Sequence, residues 1–186
     1  TNNVSVSGNY YVTVTNTLNG CTASASTNVA QDVTIPVANA GGNKTICNGS
    51  NTTLTASGGG SYVWSANGQT SATITVSPII STTYTVTVTG SNGCTATASA
   101  IVTVTALPAS GLTGPTEICT DEYAVFNASP AVAGATYTWS FDGGVSLDGD
   151  ANDATESIKW NTSYQGTTRT ITLVVTKDNC SSTYTK

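Results

Sequence analysis

The stretch YTVTVTGSNGCTATASAIVTV, residues 84–104, decides the fold. Thr alternates with Tyr and Val up to Thr89, a Gly-Ser-Asn-Gly break follows, and small and apolar residues continue after Cys94. Period-two patterning on both sides of a short Asn/Gly-bearing break marks two antiparallel strands and their turn. A near-copy, YYVTVTNTLNGCTASASTNVA, occupies 10–30, and a fainter one, ITLVVTKDNCSSTYTK, occupies 171–186. Each copy places a cysteine directly after its turn: Cys21, Cys94 and Cys180. Self-similarity of this kind is the mark of a repeat architecture.

Working outward, residues 33–105 read as one whole unit. VTIPVANA (33–40) is expected as a first strand, confined to an edge by Pro36, which has no N–H to donate. KTIC (44–47), TTLTAS (52–57), YVWSANG (62–68), SATITVSPI (71–79), TYTVTVTG (83–90) and CTATASAIVTVT (94–105) follow. A second unit repeats the marks: TEIC (116–119), YAVFNAS (123–129), ATYTWSFDGG (135–144), ESIKWNT (156–162) and RTITLVVTKDNC (169–180), with its final strand only begun at Lys186. Short strands at this spacing, with turn residues between them and no helical periodicity, predict an all-β fold of tandem antiparallel β-sandwiches in a linear array. Residues 1–31 hold only the last two strands of such a unit, so domains are expected at 1–31 (incomplete), 32–105 (complete) and 106–186. The expectation is a window cut from a longer array. In the pleated strands, Leu54, Trp64, Ile74, Val76, Tyr84, Val86, Val88 and Val102 are expected inward. Their counterparts are Val125, Trp139, Ile158, Trp160, Ile171, Leu173 and Val175.

Composition narrows the function. Thr makes up about a fifth of the 186 residues, charged residues only 8%, and the net charge is −5. Up to residue 105 the only charged side chains are Asp32 and Lys44. No basic patch exists to neutralise phosphates, so nucleic acid is set aside as a partner. No apolar run approaches the roughly 20 residues of a membrane-spanning helix, so no membrane insertion is expected. With no His in the chain, neither a nucleophile–base pair nor a zinc site has its usual parts, and no enzyme is expected.

The five cysteines are then best read as disulfide partners in an oxidising, extracellular setting. The simplest arithmetic pairs Cys47 with Cys94 and Cys119 with Cys180, one staple per domain, and leaves Cys21 with a partner outside the segment. Loops of some fifty to sixty residues would give each staple on the order of 4 kcal/mol in the chain-entropy account.

The residues TICNGSNTTLTASGGGSYVWSANG, TTYTVTV and NGCTA resemble the Ig-like repeats of very large secreted surface proteins of gliding Bacteroidota. GPTEIC, YTWSFDGG, SIKWN and ITLVVTKDNC resemble the PKD-like domains that accompany them. The resemblance implies export, by the type IX route, and a place on the bacterial cell surface in an adhesin or filament, with no catalytic residues. Implied partners are neighbouring repeats of the same protein or a homopolymer. Two other readings stand beside this stalk: a carbohydrate-binding module that meets surface glycans, and a short subunit that polymerises by strand complementation.

Two ligand sites are weighed. Asp148, Asp150 and Asn152 alternate as at the start of a calcium loop, but Lys159 stands where the closing Glu belongs, and a polar hairpin tip is the plainer reading. Otherwise no cofactor is expected. Trp160 and Tyr164 are the aromatics to offer a glycan.

Overall fold

The computed structural model describes residues 6–147 and 153–186. Strands β1 (Gly8–Thr15) and β2 (Thr22–Val29) form an antiparallel hairpin whose side chains are largely exposed. Next come β3 (Lys44–Cys47), β4 (Thr52–Thr55), β5 (Ser61–Trp64), β6 (Thr73–Val76), β7 (Thr82–Thr89) and β8 (Thr95–Thr105). They make one sheet in the order β3-β8-β7-β5 and a second of β4-β6. The last repeat supplies β9 (Leu112–Thr113), β10 (Tyr123–Ala128), β11 (Thr136–Phe141), β12 (Val145–Ser146), β13 (Thr155–Lys159), β14 (Ile171–Lys177) and β15 (Cys180–Thr185). These form sheets β12-β13-β10-β9 and β11-β14-β15. Strands β4 and β6 thus correspond to β10 and β13, and β5, β7 and β8 to β11, β14 and β15. The fold is all-β, of the Ig-like sandwich type.

Pleating explains which residues are buried. Along β7 the Val side chains Val86 and Val88 are buried while Thr85 and Thr87 keep partial exposure, because successive residues point to opposite faces. In the last repeat Ala124, Phe126 and Ala128 of β10 share one core with Ile158 of β13, Tyr137 and Trp139 of β11, and Ile171, Leu173 and Val175 of β14. The ring of Phe126 meets Trp160 edge-on at 6.4 Å. Fully burying side chains of this size contributes about 2 kcal/mol each.

The two repeats anchor their cores alike. Trp64 and Trp139 are buried, and each indole N–H donates to a backbone carbonyl further along the chain, Ser71 at 3.0 Å and Asp153 at 2.8 Å. A buried indole needs such a partner to avoid the cost of desolvating its N–H. Tyr62 and Tyr137, two residues before these tryptophans, donate their hydroxyls to the carbonyls of Gly59 and Val132.

Contacts divide the chain into two compact units. One draws on the segment up to Gly41, Thr55–Ile74 and Tyr84–Ser99; the other on Gly42–Leu54, Thr75–Thr83 and Ala100–Lys186.

Several expectations need correction. Residues 33–40 form no strand beyond the single bridge Asn39↔Ser57, whose two N–H···O bonds are each 3.0 Å. Pro36 cannot donate to a ladder. TEIC forms no strand either, unlike KTIC. Val125 is 47% exposed, because the larger Phe126 and the small Ala124 and Ala128 take the inward parity of β10. Tyr84 is half-buried. The final strand, expected as barely begun, runs six residues.

The extended segment before β3 approaches the main chain so closely that only glycine fits. A Cβ on Gly58, at φ +109°, would lie 1.7 Å from the carbonyl oxygen of Val37. Gly58→Ala is therefore expected to cost about 2–4 kcal/mol of unfolding free energy in urea, from strain and clash together. An unchanged midpoint would show that the segment does not lie there.

Candidate functional site

The geometry that sets this chain apart is built around its cysteines. In all three hairpins the cysteine closes the turn: Cys21 and Cys94 directly precede β2 and β8, and Cys180 opens β15. The amide of Asn16 donates to the Cys21 carbonyl at 2.8 Å, and that of Gly90 to the Cys94 carbonyl at 2.8 Å. In the third, Lys177 and Cys180 are register partners. Tight turns make this possible: Gly20 and Gly93 adopt positive φ in the first two, and Asp178 and Asn179 in the third.

The other two cysteines end the KTIC and TEIC segments. Cys47 closes β3, which pairs in parallel with β8 so that Lys44 faces Val102 and Cys47 faces Thr105. Cys47 is bonded to Cys180, with Cα atoms 5.5 Å apart and a separation of 133 positions in sequence. The bridge joins one sequence repeat to the next. Cys21 and Cys119 are exposed thiols and Cys94 is a half-buried one.

The pairings Cys47–Cys94 and Cys119–Cys180 are thus replaced, and strand direction gives the reason. Because β3 runs parallel to β8, Cys47 lies at the far end of β8 from Cys94, eleven residues or roughly 35 Å away. Disulfide Cα atoms must approach within about 7 Å. Likewise Cys119 lines a cleft with Ile171 and Lys186, whereas Cys180 pairs with Lys177 at the opposite end of β14, roughly 20 Å along the ladder.

That cleft, about 840 Å³, is a recess of the last repeat. Its floor includes Phe126, Trp160 and Ile171 and its rim Cys119, Tyr164 and Arg169. Trp160 is only 7% exposed, and its N–H donates to the Asp142 carbonyl at 3.1 Å. At that burial it belongs to the core of the last repeat. Tyr164, half-buried at the end of the 3-10 turn Thr162–Tyr164, lies under Arg169 at 4.4 Å, and Arg169 pairs with the exposed Asp142 at 3.0 Å. Glu156 is buried on β13 opposite Phe126. Asp148, Asp150 and Asn152 lie outside the described residues. Among the described residues no three His, Cys, Asp or Glu side chains gather as metal ligands, and no helix is long and apolar enough to cross a membrane.

At the Cys94 hairpin a smaller recess, about 450 Å³, is lined by Asp32, Thr34, Gly58, Gly59 and Asn92. The Asn92 side chain donates to the Asp32 and Thr34 carbonyls at 3.3 and 2.9 Å. The hydroxyl of Thr34, then its amide at 2.9 Å, then the side chain of Asn92 hold the Asp32 carboxyl below its ordinary range. Sequence reading passed over Asn92; the signal was its place before Gly93 in the turn.

No protein-family model matches the chain, and no curated protein matches it in sequence. Among solved structures it is similar to the insect immune protein hemolin, at 13% identity over 95% of this chain and 54% of that one, with a TM-score of 0.40. It is also similar to sidekick-1 immunoglobulin domains 1–5, at 16% identity over 97% of this chain and 46% of that one, with a TM-score of 0.36. Murine CEACAM1b is matched at 10% identity over 75% of this chain and 92% of that one, with a TM-score of 0.35. The chain thus spans about half of the first two and nearly all of the third.

Closing a loop of 133 residues removes enough freedom from the unfolded chain to stabilise the fold by about 5 kcal/mol in the chain-entropy account. Peptide mapping of the unreduced protein should recover Cys47 linked to Cys180, and Cys47→Ser should lower the unfolding free energy by a similar amount; a Cys47–Cys94 peptide would overturn the arrangement. Asp32 offers a second measurement. A lowered folded-state pKa contributes stability above the ordinary aspartate value, and that contribution is lost as the pH falls through the lowered value. NMR titration should place Asp32 below the ordinary range, and Thr34→Val should move it upward, since the Thr34 hydroxyl is the first cause.

Proposed function

We propose that this chain is a non-catalytic structural segment of a bacterial extracellular stalk or surface filament, of the kind that carries adhesive function away from the cell. Its repeats act as domains at 1–31, 32–105 and 106–186, the last of PKD-like type. The observation that carries this reading is the Cys47–Cys180 bridge, which joins consecutive repeats where one staple inside each would have served stability alone.

Tension along the backbone reaches Cys47 and passes through sulfur to Cys180, so the intervening residues carry no load while the bridge is closed. Such a bridge is favoured in an oxidising compartment, which supports a setting outside the cytoplasm. The surface agrees with that setting. Hydroxyl side chains dominate and only two charges occur up to residue 105, so neighbouring modules can lie close without mutual repulsion. The absence of His from the whole chain removes the commonest general base.

Single-molecule pulling from the two termini tests the mechanical role. The oxidised chain should release about 450 Å less contour length than the reduced chain, the extended length of the loop that the bridge takes out of the load path. Equal contour lengths in the two redox states would refute a mechanical role for the bridge.

A further inference from the structure

Where one sequence repeat gives way to the next, the incoming segment is held by a side chain from the closing hairpin of the repeat it enters. In the middle repeat the Asn92 side-chain nitrogen donates to the carbonyls of Asp32 and Thr34 at 3.3 and 2.9 Å. In the last repeat the Tyr184 hydroxyl donates to the Pro108 carbonyl and accepts the Ser110 amide, each at 3.0 Å. Both times one side chain grips two main-chain groups that lie two residues apart. Both grips also begin three residues after the preceding strand, β2 ending at Val29 and β8 at Thr105. The two devices replace one another. Two residues before the hairpin cysteine stands Asn92 in the middle repeat and Asp178 in the last; four residues after it stand Ala98 and Tyr184. A carboxylate has no N–H to donate to a carbonyl, and alanine has no hydroxyl, so each repeat carries one grip in place of the other.

We infer that Asn92 and Tyr184 are linker locks, each fastening a connecting segment to the repeat it enters and leaving only Ala30–Gln31 and Ala106–Leu107 free to bend. Length decides how much this matters. After β2 the first backbone pairing is at Asn39, and after β8 the first is at Gly111. Without the locks, residues 30–38 and 106–110, nine and five in number, would be held by no backbone pairing. Nine residues reach about 30 Å and five about 17 Å, whereas the two left by each lock reach about 7 Å. The significance of short joints for a stalk rests on the filament reading; the locks themselves are local to each repeat.

Each lock acts from a fixed base. The side-chain oxygen of Asn92 accepts the Cys94 amide at 3.0 Å, so its nitrogen is the atom left to face the two linker carbonyls. Tyr184 lies opposite Leu173 in register and packs against the core of the last repeat, which holds its hydroxyl at the linker. On the linker side, Pro108 is buried and its ring fixes φ, so the gripped segment has little freedom of its own to lose.

Backbone 15N relaxation of the purified chain tests the locks. The amides of Asp32, Val33, Thr34, Ala109 and Ser110 should show order parameters close to those of the strands, about 0.85. Asn92→Asp keeps the acceptor for the Cys94 amide and removes only the donor. It should bring 32–34 below about 0.6 and leave 109–110 unchanged. Tyr184→Phe keeps the ring and removes only the hydroxyl. It should do the reverse, with the Ser110 amide exchanging with solvent at least tenfold faster. The indole N–H signals of Trp64 and Trp139 report that each variant is folded. If Asn92 serves only its own turn, Asn92→Asp leaves 32–34 as ordered as before, and that result overturns the proposal. So do order parameters below about 0.6 at these linker amides in the unsubstituted chain, a measurement that needs no variant. Either failure leaves the contour-length difference between redox states standing, and equal contour lengths leave the locks standing.

Discussion

The parallel ladder between β3 and β8 is the constraint on which the covalent architecture depends. Four residues, Lys44 to Cys47, lie beside Val102 to Thr105, and this carries Cys47 to the end of β8 that leads onward along the chain. The hairpin cysteines occupy the other end of their strands. Cys47 and Cys94 are therefore separated by the length of β8, and Cys47 meets Cys180 instead. An antiparallel β3 would have reversed this and returned Cys47 toward the hairpin. One choice of strand direction thus takes Cys47 away from Cys94 and leaves it bonded to Cys180, far along the sequence.

The sandwich that carries this tie is thin and relies on a few well-satisfied anchors. Thr, Ala and Val fill most strand positions, so one tryptophan and a handful of Leu, Ile and Val supply most of the buried volume in the middle repeat. Both tryptophans satisfy their N–H with a loop carbonyl, and the preceding Tyr closes the loop before the strand. The outward Thr hydroxyls pair across strands, as Thr55 does with Thr73 at 3.1 Å and Thr176 with Ser181 at 2.8 Å. Ion pairs play little part: Arg169–Asp142 and Lys159–Asp121 are partly solvated pairs, each worth no more than about 1 kcal/mol.

Much of this was legible in the sequence because it depends on local patterning. The hairpins, the inward tryptophans and the alternation along β7 and β14 follow from period-two spacing and turn residues, and each is present. The failures have a common character. Whether Cys47 meets Cys94 or Cys180 depends on the direction in which a four-residue strand joins its sheet, and KTIC reads the same either way. The parity of β10 turned on Phe126 against Val125, two apolar neighbours of which only one can face inward. Trp160 lies beyond the end of β13, so alternation gave no firm orientation, and it served both as a core residue and as a ligand candidate until its burial placed it in the core. Residues 33–40 carry β-forming side chains, yet Pro36 and the close approach at Gly58 leave them a single bridge.

The bridge also gives the molecule a second covalent route. Between Cys47 and Cys180 the backbone and the sulfur link together form a closed ring. A single peptide-bond cleavage anywhere in that ring, including the exposed turns of the last repeat, opens the ring without separating its two ends. The chain on either side remains one molecule, joined through sulfur, so loops there can be long and accessible without each becoming a point at which the whole assembly is severed.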